Sequence, residues 1–133
     1  MNACFRSRLF LAGLLAAGTA QAATVDDLLS AYQAQGAGPF APATGAALWR
    51  QEFPSQDGAP RACTRCHGDD PKQPGRHAVT GKPIEPLAPS AKPARLSDRR
   101  EIEKWLRRNC KWTLGRECTA QEKGDLLVFL RGR

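Results

Sequence analysis

Four stretches of the chain place apolar residues at helical spacing, and helix-starting and helix-stopping residues flank them. The pattern predicts helices over residues 24–35, 43–53, 98–109 and 119–131. The last two open with Ser/Thr/Asp-x-x-Glu spacing, which is the pattern of a capping box. Residues 68–93 are rich in Pro, Gly and Lys, and they follow neither the helical nor the strand period. The sequence therefore predicts an all-α domain with a long irregular middle loop.

The N-terminus has the pattern of a secretory signal peptide. Arg6 and Arg8 precede an apolar run at residues 9–18, and small residues then lead to a cleavage site after Ala22. The apolar run is shorter than the about 20 residues that a membrane-spanning helix needs. We therefore predict a signal peptide at residues 1–22 and a periplasmic mature domain at residues 23–133 that does not span a membrane. The alternative is an uncleaved anchor.

The segment CTRCH at residues 63–67 is a C-x-x-C-H motif, the attachment site of c-type haem. Two thiols at this spacing can add to the two vinyl groups of one porphyrin, and the adjacent histidine becomes the proximal iron ligand. A thioredoxin-like pair would need a βαβ context, and a zinc site would need the two remaining mature cysteines at closer spacing. The motif predicts one covalent haem c, bound by Cys63, Cys66 and His67.

The sixth iron ligand decides what such a haem does, and the residues leave several candidates open. Methionine is excluded, because Met1 is the sole methionine and leaves with the signal peptide. His77, in a basic loop, would give a bis-histidine, low-potential electron carrier. Lysine and asparagine are further candidates, and an open site is the default.

Two cysteines remain after haem attachment, Cys110 and Cys118. Leftover thiols at this separation in an oxidising compartment predict a disulfide. Its simplest role is stability, because it closes a short loop. A second role is to hold Asn109, at the end of the predicted helix over residues 98–109, above the iron.

The surroundings of these cysteines, RRNC and GREC, with TGKPIEPLAPS upstream and TAQEKGD downstream, resemble the sphaeroides haem protein family over residues 43–131. The resemblance implies a class I cytochrome c fold, Asn109 as the sixth ligand and a Cys110–Cys118 disulfide beside it. It also implies binding of oxygen and nitric oxide by the reduced protein. The partners that it implies are a diheme cytochrome c and a b-type membrane cytochrome.

Elementary coordination chemistry makes an asparagine ligand intelligible. A carboxamide oxygen is a hard, neutral, weak donor that suits ferric iron better than ferrous iron. We therefore expect reduction to release Asn109 and to open a coordination site. Arg107 and Arg108 are candidates to stabilise a bound diatomic ligand, and the alternative for both is a solvated helix face.

Charge and length limit the remaining function classes. The net charge of +7 falls to +5 when the signal peptide removes two arginines and no acids. A mildly basic surface suits transient docking to an acidic redox partner. Nucleic acid is discounted, because export removes that target and no long basic run exists. We predict electron transfer through a haem that binds gas once reduced; a terminal oxygen, peroxide or nitric oxide reductase and a gas sensor or buffer are the alternatives.

Overall fold

A computed structural model describes residues 17–133, with side chains from residue 22 onward. Its helices are α1 (Ala17–Gln33), α2 (Pro42–Arg50), α3 (Thr64–His67), α4 (Arg99–Leu114) and α5 (Ala120–Arg131). Two short strands, β1 (Gly75–Arg76) and β2 (Pro83–Ile84), pair antiparallel. None of the described helices combines the length and apolarity needed to cross a membrane. Residues 1–16 of the predicted signal peptide lie outside the described part of the chain.

The predicted helices are present, but several boundaries differ. Helix α1 begins at Ala17, before the predicted residue 24, because the alanine-rich stretch ahead of it favours helix. Helix α2 stops at Arg50, since Gln51 is extended and Phe53 instead pairs with Arg61 in an isolated β-bridge. Helix α5 begins with the predicted capping box, in which Thr119 and Glu122 bond to each other's backbone N–H.

Helix α4 is longer than predicted, and this changes the setting of Asn109. The predicted end at residue 109 is wrong, because the helix continues to Leu114 and stops at Gly115, which adopts a left-handed φ of 74°. Asn109 and Cys110 therefore lie within a regular helix. Only half of the predicted capping box forms at its start. Asp98 accepts a bond from the Glu101 N–H, whereas the Glu101 carboxylate contacts Lys104 and the Trp105 ring N–H.

Helices α2 and α5 cross in direct backbone contact at Gly45. A β-carbon at this position would lie 2.1 Å from the Asp125 carbonyl oxygen and 2.8 Å from the Phe129 Cβ. The buried Asp125 carboxylate also accepts a 2.7 Å bond from the Ala41 N–H, at the start of α2. Glycine is therefore required at this crossing, which sets the angle at which α2 carries Leu48 and Trp49 toward the core.

Helix α1 packs on the outer side of α4 and α5 through a separate cluster of buried side chains. Val25, Leu28 and Tyr32 lie against Ile102 and Leu127. The Tyr32 hydroxyl donates a 2.8 Å hydrogen bond to a Glu103 carboxylate oxygen. Burial, reinforced by that carboxylate, raises the pKa of Tyr32 well above its usual range. Helix α1 thus completes the core from the side away from the CTRCH motif.

The middle of the chain is less irregular than predicted. Strands β1 and β2 form a small hairpin, which is closed by the His77 N–H bonding to the Lys82 carbonyl at 2.8 Å. Gly81 accommodates a φ of 69° in its turn. Two-residue strands are too short for an alternating pattern to be visible in the sequence. The expectation of a wholly irregular segment over residues 68–93 is therefore wrong at this hairpin.

Candidate functional site

An apolar cleft opens between α2, α3, α4 and α5. Its walls are mostly large apolar side chains contributed by α2, α4, α5 and the segment after β2: Leu48, Trp49, Leu87, Leu106, Trp112, Leu114, Leu126 and Leu130. The polar and sulfur-bearing residues in it are few, and apart from Thr113 they are the ones that the sequence singled out.

The CTRCH motif forms one short helical turn at the edge of this cleft. Cys63 has helical backbone angles, and the His67 N–H bonds to its carbonyl oxygen at 3.0 Å. Residues three and four positions apart share a helix face, so Cys63, Cys66 and His67 all line the cleft. Gly68 ends the turn with a φ of 70°. The local geometry therefore presents two thiols and one imidazole to the same apolar space.

Burial keeps the His67 imidazole and the Cys63 thiol in their neutral forms. Burial, and to a lesser extent the positive charge of Arg95, lowers the pKa of His67 to about 4. Its imidazole is therefore uncharged at neutral pH, which is the form that binds a metal. Burial likewise raises the pKa of the Cys63 thiol to about 11. Arg95 is held in place by a 2.8 Å hydrogen bond from its Nε to the Pro86 carbonyl.

Trp49 and Gly75 fix the position of the motif helix from two sides. The Trp49 ring N–H donates to the Gly68 carbonyl at 3.0 Å, and its ring lies 5.5 Å from the His67 ring. On the other side, a β-carbon at Gly75 would lie 2.1 Å from the Cys66 carbonyl oxygen. Gly75 was not singled out from the sequence, since nothing local distinguishes it from the other glycines.

Asn109 lines the same cleft from α4, together with Leu106, Cys110 and Thr113. The Sγ atoms of Cys110 and Cys118 are 1.97 Å apart and the Cα atoms 5.5 Å apart, so the structure joins α4 to a residue two positions before the start of α5. This link places the Asn109 turn of the helix against the base of α5. The structure thus brings Asn109 to the pocket that holds His67, as the family resemblance implies.

The other candidates for the distal side do not reach the cleft as the described residues define it. His77 is exposed in the hairpin, where its Nδ1 accepts hydrogen bonds from the Val79 and Thr80 N–H groups at 3.2 Å. Arg107 and Arg108 are exposed on α4, and the Arg108 guanidinium lies 5.5 Å from the centre of the Trp105 ring. Both arginines fit the solvated helix face that was their alternative.

Comparison with known proteins places this arrangement in context. The sequence matches the family described as a domain of unknown function (DUF1924) over residues 35–130. The cytochrome c-type protein SHP of Cereibacter sphaeroides is 42% identical over 120 residues, which is 90% of each chain. Cytochrome c'' of Methylophilus methylotrophus is 33% identical over 86 residues, which cover 65% of this chain and 60% of that protein.

Solved structures agree with these relatives. Oxidised SHP, described as an oxygen-binding cytochrome c, matches with a TM-score of 0.74 and 41% identity over 82% of this chain and 96% of that one. Oxidised cytochrome c'' of Methylophilus methylotrophus matches with a TM-score of 0.73 and 28% identity, over 86% of this chain and 94% of that one.

The helical fold, the apolar cleft and these relatives define a monohaem c-type cytochrome of the class I fold, which carries covalently bound haem c with its iron. The chain belongs to the sphaeroides haem protein family. The fold class and cofactor predicted from the sequence are thereby confirmed.

Proposed function

We propose that Cys63 and Cys66 would bind the haem through thioether bonds, and that His67 and Asn109 would hold its iron. The chemistry of the donor set supports this assignment, because two thiols and a neutral imidazole face an apolar cleft that Asn109 lines from another helix. The haem, when bound, supplies one-electron redox chemistry and an iron atom that accepts small ligands.

The function that this arrangement supports best is electron transfer combined with reversible binding of oxygen or nitric oxide by the reduced protein. The main support for this function is that Asn109 lines the cleft, whereas His77 does not. An amide oxygen is a weak ligand for ferrous iron, so the Asn109 side chain is expected to detach on reduction and leave its position free. The oxygen-binding cytochrome among the related structures supports the same function.

The absorption spectrum of the reduced protein tests this function. A five-coordinate, high-spin ferrous spectrum that changes on addition of oxygen, nitric oxide or carbon monoxide is expected. Stoichiometric uptake would indicate a carrier or buffer, whereas sustained gas consumption with an artificial reductant would indicate a dedicated enzyme. A low-spin, six-coordinate ferrous spectrum that gases leave unchanged contradicts the proposal.

Covalent haem attachment and cleavage of the signal peptide can both be checked by one mass measurement. The buried packing of α1 begins at Val25, so cleavage after Ala22 removes none of the described buried contacts. Protein purified from the periplasm and extracted with acid–acetone should retain its colour and have the mass of residues 23–133 plus one haem. Haem in the organic phase contradicts the thioether assignment, and a mass that includes residue 1 contradicts the signal peptide.

The Cys110–Cys118 disulfide is proposed to be present in the exported protein. Both cysteines are buried and line the cleft, and their Cα separation of 5.5 Å suits a disulfide. Peptide mapping without reduction should recover the two cysteines linked. The Cys110→Ala/Cys118→Ala variant should lose about 2–3 kcal/mol of stability to urea. Two alkylatable thiols in the unreduced native protein would refute the linkage.

The redox partners are proposed on the family resemblance alone, as a diheme cytochrome c and a b-type membrane cytochrome. The net positive charge of the chain supports transient docking to an acidic donor surface. Stopped-flow reduction by a reduced diheme cytochrome c should be faster than reduction by a small donor at equal concentration. Equal or slower reduction would contradict the proposal that a diheme cytochrome c is the redox partner.

A further inference from the structure

The hairpin that follows the CTRCH motif combines features that the haem site does not use. Residues 72–84, the basic hairpin, contain Lys72, Arg76 and Lys82 and no acidic residue. Val79, at its tip, has 76% of its surface exposed and is the most exposed large hydrophobic residue in the described part of the chain. Single exposed apolar residues are common, but one in a basic segment next to a cofactor-attachment motif is typical of a binding surface.

Asp70 and Glu85 flank the basic hairpin, and Asp70 accepts a hydrogen bond from the Lys72 backbone N–H, but the ammonium groups of its two lysines form no ion pair among the described residues. The four lysines elsewhere in the chain each lie within 4.0 Å of a glutamate: Lys92, Lys104, Lys111 and Lys123. Among the described residues, Lys72 and Lys82 have no such partner. Paired charges largely cancel at a distance, whereas unpaired ones produce a field that steers an oppositely charged protein.

The basic hairpin is also connected directly to the haem-attachment motif. The Ala78 N–H donates a 3.3 Å hydrogen bond to the Cys66 sulfur. At the base of the hairpin, Gly75 contacts the Cys66 carbonyl so closely that a β-carbon would not fit. The residue beside Val79 is therefore one hydrogen bond away from a sulfur that the proposed function assigns to the haem.

Internal hydrogen bonds hold the hairpin tip in one conformation. The Arg76 guanidinium donates to the Gly81 carbonyl at 2.7 Å, and the Gly81 N–H donates to the His77 carbonyl at 2.8 Å. The His77 ring nitrogen accepts from the backbone on the far side of the turn. His77 thereby acquires a structural role, since it supports the turn that presents Val79. A preformed surface loses little entropy on binding.

Helix α4 is the alternative docking surface, but its exposed aromatic residue, Trp105, is already in contact with neighbouring side chains. Trp105 is 46% exposed, but its ring N–H bonds to Glu101, and the cationic groups of Lys104 and Arg108 lie 5.3 and 5.5 Å from its ring centre. Glu101 and Glu103 also place acidic charge on this helix. The basic hairpin has neither acidic neighbours within it nor a partner for its apolar tip, so it is the better surface for an acidic protein.

We propose that the basic hairpin is the docking surface for an acidic redox protein, with Val79 at the centre of the contact and Lys72 and Lys82 around it. In this encounter the partner's reduced one-electron centre loses one electron and the ferric haem gains it, and no atom or proton is transferred. The proposal rests on the proposed electron-transfer function and adds the place on the molecule where it occurs.

The test compares two donors that reduce the ferric holoprotein in stopped-flow and flash experiments. Fully reduced flavodoxin, a strongly acidic protein, has to dock, whereas photoreduced lumiflavin, a small uncharged flavin, does not. Lys72→Gln/Lys82→Gln should lower the flavodoxin rate constant about tenfold at low ionic strength, and the difference should vanish at about 1 M salt. Val79→Ser should lower it about threefold at every ionic strength. Neither variant should change the lumiflavin rate constant.

The matched control is Arg99→Gln/Arg100→Gln, which removes two exposed positive charges at the start of α4. Its flavodoxin rate constant should stay within about twofold of the unmodified protein. An equal loss in this control, or a loss confined to Arg107→Gln/Arg108→Gln, would overturn the assignment to the hairpin. If the unmodified holoprotein is reduced by neither donor, the proposed electron-transfer function fails and not merely its docking surface.

A basic surface with an apolar tip would also suit an anionic membrane. A second experiment, which measures vesicle binding, distinguishes a membrane from an acidic protein as the partner. Vesicles of phosphatidylcholine and phosphatidylserine at physiological salt should not co-sediment the holoprotein. Vesicle binding that Lys72→Gln/Lys82→Gln abolishes, while the flavodoxin rate constant remains unchanged, would overturn the protein-docking proposal in favour of a lipid surface.

Discussion

Replacing Asn109 with alanine should change the spectrum of the ferric protein and leave that of the ferrous protein unaltered. Asn109 lines the same cleft as the CTRCH turn, and its amide oxygen is expected to bind iron only in the oxidised state. Without this internal competitor, ferric affinity for an added ligand such as imidazole should rise about 10- to 100-fold. The midpoint potential should rise correspondingly, by about 60–120 mV, because a ligand that stabilises ferric iron is lost.

His77→Ala is the matched control for this prediction. His77 accepts backbone hydrogen bonds within the exposed hairpin, so its removal should leave both spectra and the imidazole affinity unchanged. The bis-histidine arrangement predicts the reverse pattern, with a low-spin ferrous state that Asn109→Ala preserves and His77→Ala abolishes. That pattern would make the protein an ordinary low-potential electron carrier and would remove the gas-binding function.

Gly45→Ala should be among the most destabilising single-methyl changes in the protein. The added β-carbon would lie 2.1 Å from a backbone oxygen of α5 and 2.8 Å from the Phe129 Cβ, and a backbone in a packed helix cannot move aside. Helices α2 and α5 must separate, at a cost of about 3 kcal/mol. The urea midpoint of the haem-loaded protein, followed by circular dichroism at 222 nm, should fall accordingly. The Soret band should shift as well, because α2 carries Leu48 and Trp49 into the cleft.

Gly132→Ala provides the comparison for Gly45→Ala. A β-carbon at Gly132 would meet its nearest neighbour, the Val128 carbonyl oxygen, at an ordinary 3.5 Å, and its φ of −82° is open to any residue. Its urea midpoint should correspond to a stability within about 0.5 kcal/mol of the unmodified protein. Equal midpoints for Gly45→Ala and the unmodified protein would contradict the close helix crossing.

Several features that depend on residues close together in the sequence were predicted correctly. The Thr119–Glu122 capping box requires contacts only three residues apart and forms as predicted, whereas the Asp98–Glu101 box forms only in part. Family membership and the haem followed from equally local motifs, CTRCH and RRNC…GREC. The end of α4 shows a local signal that was missed, since Gly115 is the left-handed residue that stops the helix, while the prediction stopped at residue 109.

The sequence by itself determined the class of protein, its cofactor and most of its helices, because these depend on short motifs and on periodicity along one segment. Only the tertiary structure decided which side chains share the cleft with His67. Asn109 lies there and His77 does not, although His77 is far nearer to the motif in sequence. The contact of Gly75 with Cys66 likewise had no sequence signal. Such contacts depend on how helices distant in sequence pack against each other, and a pattern within one helix cannot specify its partner.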